Sequence, residues 1–341
     1  GRIVDLIGLI GLIGLIGLII AVVLRVKGCA MPPVATSYVC TIDAAQAVVL
    51  QGLMAGRGWV FDDMPYARWR GRLGKTTVVA YESGKLTVQG RETAEFVQFL
   101  LEPEILHEAR FGYEAVLAEV ESPEQFGPHA GIDESGKGDY FGPLVVACAY
   151  TDEASAKTLL QAGVADSKTI KSDKKIAVLA DLIRRECADR FSVVAIGPET
   201  YNRMYASFGN LNRLLAWGHA RALENLLEKV PDCPRALADQ FAANENTVLR
   251  ALGERGKCLR LEQRPRAEAD VAVAAASILA RAEFVRRLAQ LGDGVGVELP
   301  KGASAAVLAC AKAIAAKGGR DALAKVAKMH FKTTLEALPP L

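Results

Sequence analysis

Apolar residues recur along this chain in two periods, every second position or at three- and four-residue spacing, and the switches between them mark the elements. Tyr38-Val39-Cys40-Thr41-Ile42 predicts a short strand. Asp43 is a fair N-cap for a helix over 44–55, apolar at Ala47, Val48, Leu50, Leu53 and Met54 and stopped by Gly56 to Gly58. Trp59-Val60-Phe61 follows, and Thr76 to Tyr81 with Lys85 to Gln89 reads as a hairpin around Glu82-Ser83-Gly84. A second helix is expected over 93–101, which completes a small α+β module in residues 31–106. Residues 107–126 are polar and read as a linker. Strand, loop and strand are then expected through residue 150, with helices over 153–162 and 174–190, the latter capped by Ser172 and Asp173. Phe191 to Ile196 is a strand, followed by helices over 198–204 and 211–229 and a short strand from Ala236 to Asp239. An Ala-rich helix over 271–288, two more over 304–316 and 320–329, and a tail from 330 complete the pattern. This alternation predicts an α/β fold for residues 127–335.

Residues 1–30 break the pattern. Gly8-Leu9-Ile10 repeats four times, and no charge occurs from Leu6 to Leu24. By length alone that stretch is a transmembrane candidate. The perfect repeat instead suggests slippage in the coding sequence, and Met31 opens an ordinary soluble start, so residues 1–30 are read as an extension outside the fold. Membrane association then depends on residues 6–24 being a real anchor.

Composition adds limits. The 341 residues are 51% hydrophobic and 23% charged, which suits a globular chain. A net charge of +2 says nothing about partners, so any nucleic-acid surface must come from local clustering. One such cluster is Tyr66, Arg68, Trp69, Arg70, Arg72 and Lys75, which suits a phosphate backbone or, equally, a solvated hairpin edge. Seven scattered cysteines without a Cys-x-x-Cys pair suggest reduced thiols and a cytoplasmic protein. Four scattered histidines without a His-x-x-x-His pair exclude the common zinc-hydrolase pattern.

The chemistry concentrates in Gly131-Ile132-Asp133-Glu134-Ser135-Gly136-Lys137-Gly138-Asp139-Tyr140-Phe141-Gly142-Pro143-Leu144. Neighbours in a strand face opposite ways, so Asp133 and Glu134 cannot both be core. Asp239 ends another strand, and Glu268 and Asp270 precede the Ala-rich helix. Four carboxylates at one end of a sheet would repel unless cations lay between them. Hard oxygen donors suit Mg2+ or Mn2+, and two such ions about 4 Å apart can activate water and stabilise a leaving oxygen in phosphodiester hydrolysis. Ser135, Gly136, Lys137 and Gly138, with Lys168 of Asp166-Ser167-Lys168, could meet phosphates or a 2′-hydroxyl. Tyr140 reads as a packed ring, Cys148 and Cys258 as small hydrophobes, and His330 as either a gate or a packed side chain.

Gly131 to Leu144 resembles the opening motif of type 2 ribonucleases H, in the ribonuclease HIII form rather than ribonuclease HII. Asp166-Ser167-Lys168, Asn210-Leu211-Asn212 through Ala220, Asp239-Gln240-Phe241, Ala272 to Arg281, Leu299 to Ala303 and Ala327 to Lys332 resemble later family segments in order. Residues 38–106 resemble the family's N-terminal substrate-binding domain more weakly. The resemblance implies a ribonuclease H-like mixed sheet flanked by helices, preceded by a TATA-box-binding-protein-like domain. It implies an endonuclease that cuts the RNA strand of RNA–DNA hybrids with two Mg2+ or Mn2+ ions, leaving 5′-phosphate and 3′-hydroxyl ends. The implied acids are Asp133, Glu134, Asp239 and Glu268, with Asp270 as alternative fourth acid or helix cap. Substrate contacts are expected from Ser135 to Gly138, Lys168, Arg68, Arg70 and Arg72. A monomer without an obligate protein partner is expected, and cleavage at single ribonucleotides embedded in duplex DNA is the alternative activity.

Overall fold

The computed structural model describes residues 36–108, 122–164, 167, 170–240, 246–265 and 267–338. The chain separates into two compact units, Gly1–Phe111 and Gly112–Leu341.

The first unit holds a five-stranded antiparallel sheet. Its strands are β1 (Ser37–Thr41), β2 (Val60–Asp62), β3 (Ala67–Leu73), β4 (Thr76–Tyr81) and β5 (Lys85–Gln89), in the order β1-β5-β4-β3-β2. Helix α1 (Ala44–Ala55) starts where Asp43 and Gln46 exchange hydrogen bonds of 2.7 and 2.9 Å in a capping box. Helix α2 (Thr93–Phe96) continues as a π-helix over Val97–Leu106 that contains Pro103. It therefore runs past the expected end at residue 101. Leu50 and Met54 of α1 pack with Trp69, Val78, Leu86 and Leu101 into one core. The basic segment folds as β3. Trp69 and Gly71 are buried, while Arg68 and Arg72 are exposed and Arg70 is half-buried. The pleat thus puts Arg70 and Arg72 on the face away from that core, while Arg68 is exposed where the pairing with β4 shifts register between Ala67 and Trp69.

The second unit holds a mixed five-stranded sheet. Strands β6 (His129–Ser135), β7 (Leu144–Thr151), β8 (Phe191–Ile196), β9 (Arg235–Asp239) and β10 (Arg260–Arg264) lie in the order β10-β9-β6-β7-β8. β6, β7 and β8 pair antiparallel, whereas β9 and β10 run parallel to β6. The helices are α3 (Glu153–Gln161), α4 (Asp173–Glu186), α5 (Pro198–Phe208), α6 (Leu211–Leu227), α7 (Asn246–Leu249), α8 (Glu254–Lys257), α9 (Val271–Val295), α10 (Ala305–Val326) and α11 (Lys332–Ala337). Non-helical angles at Gly318 and Gly319 break α10 into two stretches, as the sequence pattern indicates.

The two faces of β6 meet different helices. Ala130 and Ile132 pack with Ala220, Leu223 and Leu226 of α6. Gly131 faces α9 so closely that a Cβ there would lie 2.1 Å from the Ala272 carbonyl carbon and the Val273 nitrogen. Main chain meets main chain, and neither side can yield by turning a side chain. Gly131→Ala should therefore lose at least about 3 kcal/mol of stability, at the top of the range for overpacked cores. Chemical denaturation measures it, and a loss below about 1 kcal/mol would mean that strand and helix separate easily.

Other expectations also need correction, and α9 runs to Val295 rather than ending at 288. Strand β10 was not foreseen, because Arg260-Leu261-Glu262-Gln263-Arg264 is polar and lies at the sheet edge. The tail from residue 330 contains α11. Cys258 is exposed rather than a packed hydrophobe, whereas Cys148 is buried. Within the segment read as a linker, Pro123–Phe126 form a 3-10 turn whose Phe126 joins the second core. Residues 109–121 and 1–30 lie outside the described residues. Among the described residues no helix is long and apolar enough to cross a membrane.

Candidate active site

The predicted acids gather at one end of the second sheet. β6 and β9 are parallel and in register at Ile132 and Ala238, so Asp133 and Asp239 are the next residues on neighbouring strands. Adjacent strands lie about 4.8 Å apart. Asp133 is 4% exposed, and its Oδ1 accepts the Glu134 N–H at 2.8 Å. Asp239 Oδ1 accepts the Ala267 N–H at 3.3 Å, which ties the turn Ala267–Ala269 to the end of β9. Glu268 lies in that turn, and its Oε2 is buried with no hydrogen-bond partner.

Asp270 takes a different part. Its Oδ1 accepts the Ala272 and Val273 N–H groups and caps α9. The same carboxylate lies 2.9 Å from Nε2 of the buried His129, whose Nδ1 lies 2.7 Å from the Gly127 carbonyl oxygen. Asp270 is thus occupied in pinning the start of β6 to the start of α9, while Glu268 keeps an oxygen unspent.

Glu134 leaves β6 on the α6 face. Its Oε2 is 2.9 Å from Nε2 of the buried His219, and its Oε1 is 3.6 Å from Nζ of Lys137. Burial pushes its carboxyl up, but the hydrogen bonds and charges of His219 and Lys137 outweigh burial and hold it below the ordinary value.

The glycine loop follows directly. Gly136 has φ +88°, and a Cβ there would lie 2.3 Å from the Pro143 carbonyl oxygen, so only glycine makes this turn. Gly138 is exposed, with nothing within 4 Å of where a Cβ would be. Its openness is toward solvent, where a ligand backbone could approach. Ser135 is half-buried at the strand end.

Of the remaining predicted contacts, Lys168 and Asp166 lie outside the described residues. Ser167 between them is buried with its hydroxyl 2.7 Å from that of Ser277 on α9. Arg68, Arg70 and Arg72 belong to the first unit. Asp62 binds Arg70 through two 2.6 Å contacts and reaches Arg72 at 3.4 Å. Asp62 thus engages Arg70 most closely and Arg72 more loosely. Sequence reasoning did not assign roles to His219, His129 or Lys328. Each acts through a partner at least 85 positions away, which no local pattern encodes.

Comparisons with known proteins show the family to which the chain belongs. Residues 130–334 match the family described as ribonuclease HII, and residues 62–110 match a domain of unknown function, DUF3378. The chain is 43% identical to ribonuclease HIII of Chlamydia pneumoniae over 304 residues, covering 89% of this chain and 97% of that protein. The corresponding enzyme of Protochlamydia amoebophila is 42% identical, covering 89% and 96%. The chain belongs to the ribonuclease HIII family. Among solved structures, Bst-RNase HIII in complex with Mn2+ has a TM-score of 0.58 and 30% identity, covering 88% of this chain and 97% of its own. Aquifex aeolicus RNase H3 has a TM-score of 0.50 and 25% identity, covering 86% and 100%. This ribonuclease HIII family member is accordingly an enzyme, a ribonuclease of the H type.

The acid set of this family member suits a hard divalent cation. It is oxygen-only, one carboxylate is almost wholly buried, and Glu268 presents a buried oxygen with no hydrogen-bond partner. Among the described residues no three His, Cys, Asp or Glu side chains come together closely enough to hold a metal ion. The donors suit the ion in kind, while Glu134 is turned to the opposite face, where it meets His219.

Proposed function

We propose that this chain hydrolyses the RNA strand of an RNA–DNA hybrid, using Mg2+ or Mn2+ as a pair of ions and leaving 5′-phosphate and 3′-hydroxyl ends. The observation that carries the reading is Asp133 beside Asp239 on parallel strand ends, with Glu268 tethered next to them through Ala267. Asp133, Glu134, Asp239 and Glu268 would hold the ions. Bound there, the ions supply an activated water and charge to stabilise the leaving oxygen. The protein places the scissile phosphate. Gly138 leaves its backbone open to a polynucleotide, and Lys137, next to Glu134, supplies a cation for the phosphates. A 2′-hydroxyl near this loop would distinguish RNA from DNA.

The first unit supports binding of the duplex. Its sheet presents Arg70 and Arg72 on the face away from the core, Arg68 is exposed at the register shift beside them, and the pairing puts Arg72 beside Thr77 and Gln89 across three strands. Such a face can follow phosphates without reading sequence. This extra unit favours a long hybrid over a single embedded ribonucleotide as substrate. The chain is read as a monomer and as cytoplasmic, and six free cysteines among the described residues support the second of these.

The test is Asp239→Asn. Cleavage of a labelled hybrid in Mg2+ should fall at least about 10³-fold, as several kcal/mol of transition-state stabilisation are lost. Full cleavage by that variant would sink the assignment of the acids.

A further inference from the structure

We infer that Lys328 is a positioning residue that holds the loop after β6 in the shape that presents Lys137 to substrate. The inference rests on the reading of Lys137 as a substrate contact.

The loop from Gly136 to Pro143 does not support itself. Within it, the Asp139 N–H reaches the Gly136 carbonyl only at 3.3 Å. Its other anchors come from far along the chain. The Gly142 N–H donates to the Val326 carbonyl, the Lys328 N–H to the Tyr140 carbonyl and the Tyr140 N–H to the Gly302 carbonyl, each at 2.9 Å. Phe141 and Ala327 form an isolated antiparallel bridge. The Gly302 N–H returns a 2.6 Å bond to Oδ1 of Asp139. The segment after α10 thus acts as a short extra strand laid along the loop.

Lys328 closes this arrangement. Its side chain is fully buried, and Nζ donates to the carbonyl oxygens of Asp139 at 2.7 Å and Gly142 at 2.9 Å, with that of Phe141 at 3.5 Å. Gly142, one of these three residues, has φ +85°. Converging carbonyl oxygens repel one another, and burial without a donor would cost each of them a hydrogen bond. A flexible stem ending in several N–H donors meets that need, where a hydrophobe of equal length would not. Burying an amino group is unfavourable in itself, so its presence calls for a reason beyond filling space.

Lys328 makes no hydrogen bond or ion pair to Asp133, Glu134, Asp239 or Glu268. Its influence on the reaction runs through the loop. Fixing residues 139–142 from below fixes the far end of the turn whose near end is Gly136, and Lys137 sits between. Lys328 therefore belongs to substrate recognition although it touches no substrate.

The experiment is a double-mutant cycle with Lys328→Met and Lys137→Ala, reading KM for an RNA–DNA hybrid in Mg2+ and Mn2+ binding by calorimetry without substrate. Lys328→Met is expected to raise KM about tenfold, and adding Lys137→Ala to it should raise KM less than about twofold further, the non-additivity of residues that act through one another. Mn2+ binding should be unchanged in Lys328→Met. An unchanged KM, fully multiplying effects, or Mn2+ affinity falling in step with activity would each overturn the inference. A silent Lys137→Ala in the otherwise unaltered protein would sink the reading of Lys137 as well, whereas multiplying effects sink only the role of Lys328. Where Lys328→Met does not fold, Lys328→Gln takes its place in the cycle, because its shorter side chain cannot reach both the Asp139 and the Gly142 carbonyl. Amide exchange in the unaltered protein gives a further check. The Tyr140 and Gly142 N–H groups should exchange as slowly as those of β7, and fast exchange would show that nothing clamps the loop.

Discussion

Glu268→Gln should remove cleavage of the hybrid by about 10³-fold or more and yet raise the melting temperature of the ion-free protein. Asp270→Ser should do the reverse, lowering stability by about 1–3 kcal/mol while keeping most of the cleavage. The two acids are two positions apart, and the structure gives them opposite kinds of surroundings. Oε2 of Glu268 is buried with no hydrogen-bond partner, a state that is unfavourable for an ionised carboxylate in the absence of a cation. An amide of nearly equal size removes that charge, and each 1 kcal/mol gained is worth roughly 2–4 °C in a domain of this size. Asp270 already spends its oxygens on the first turn of α9 and on His129. Serine keeps the cap but loses the histidine. Melting curves in chelator and then in Mn2+, read beside hybrid cleavage, decide the matter. If Glu268→Gln melts lower in chelator and still cuts, Glu268 is not the fourth acid.

The second large effect concerns pH. Burial pushes the amino group of Lys328 down from the usual lysine value to about 7, with the Asp139 carboxylate pulling the other way. A neutral amine has two N–H donors, which is enough for the two short bonds to Asp139 and Gly142. The folded pKa lies below the unfolded one, so between about pH 7 and about pH 10 the unfolded chain binds the extra proton. Stability from this residue therefore rises with pH across that window, by on the order of 4 kcal/mol in total, and is at its lowest below pH 7. The buried thiols of Cys148 and Cys187 are pushed up by burial and act in the opposite sense at alkaline pH. They are common to the parent and to Lys328→Met, so the difference between the two proteins isolates the lysine. Denaturant unfolding from pH 6.5 to 9.5 should show the parent gaining on the variant as pH rises. A flat difference would mean that Lys328 stays charged in the fold. His330 lies near enough that burial and then Lys328 both lower its own pKa.

Much of this architecture is legible in the sequence because its elements announce themselves locally. Asp43 caps α1 as its side chain and spacing suggest, and the hairpin of β4 and β5 falls where two alternating runs flank Glu82-Ser83-Gly84. The strand acids are legible for a similar reason, since an apolar run that ends in a carboxylate marks the rim of a sheet. Strand β10 is not, because an edge strand rich in arginine has no apolar face to show. The choice between Glu268 and Asp270 rests on surroundings that only folding assembles, above all on His129 from the far end of the same sheet. Lys137 looked in sequence like a cation waiting for phosphate, and in the fold it already neighbours Glu134. Lys328 sits in a polar-looking run, Lys328-Met329-His330-Phe331-Lys332, and nothing in that run distinguishes the buried lysine from the exposed one.

The missing side chain at residue 131 also bears on which acids can adapt. Where β6 rests on α9 through main chain alone, the strand cannot slide or tilt without a backbone collision. Asp133 is carried two residues further along that stiff contact. Glu268 instead stands on a turn of three residues, tied to Asp239 by one 3.3 Å bond. In the proposed site, differences in size between Mg2+ and Mn2+ would be absorbed at Glu268, while Asp133 serves as the fixed point against which the coordination is measured.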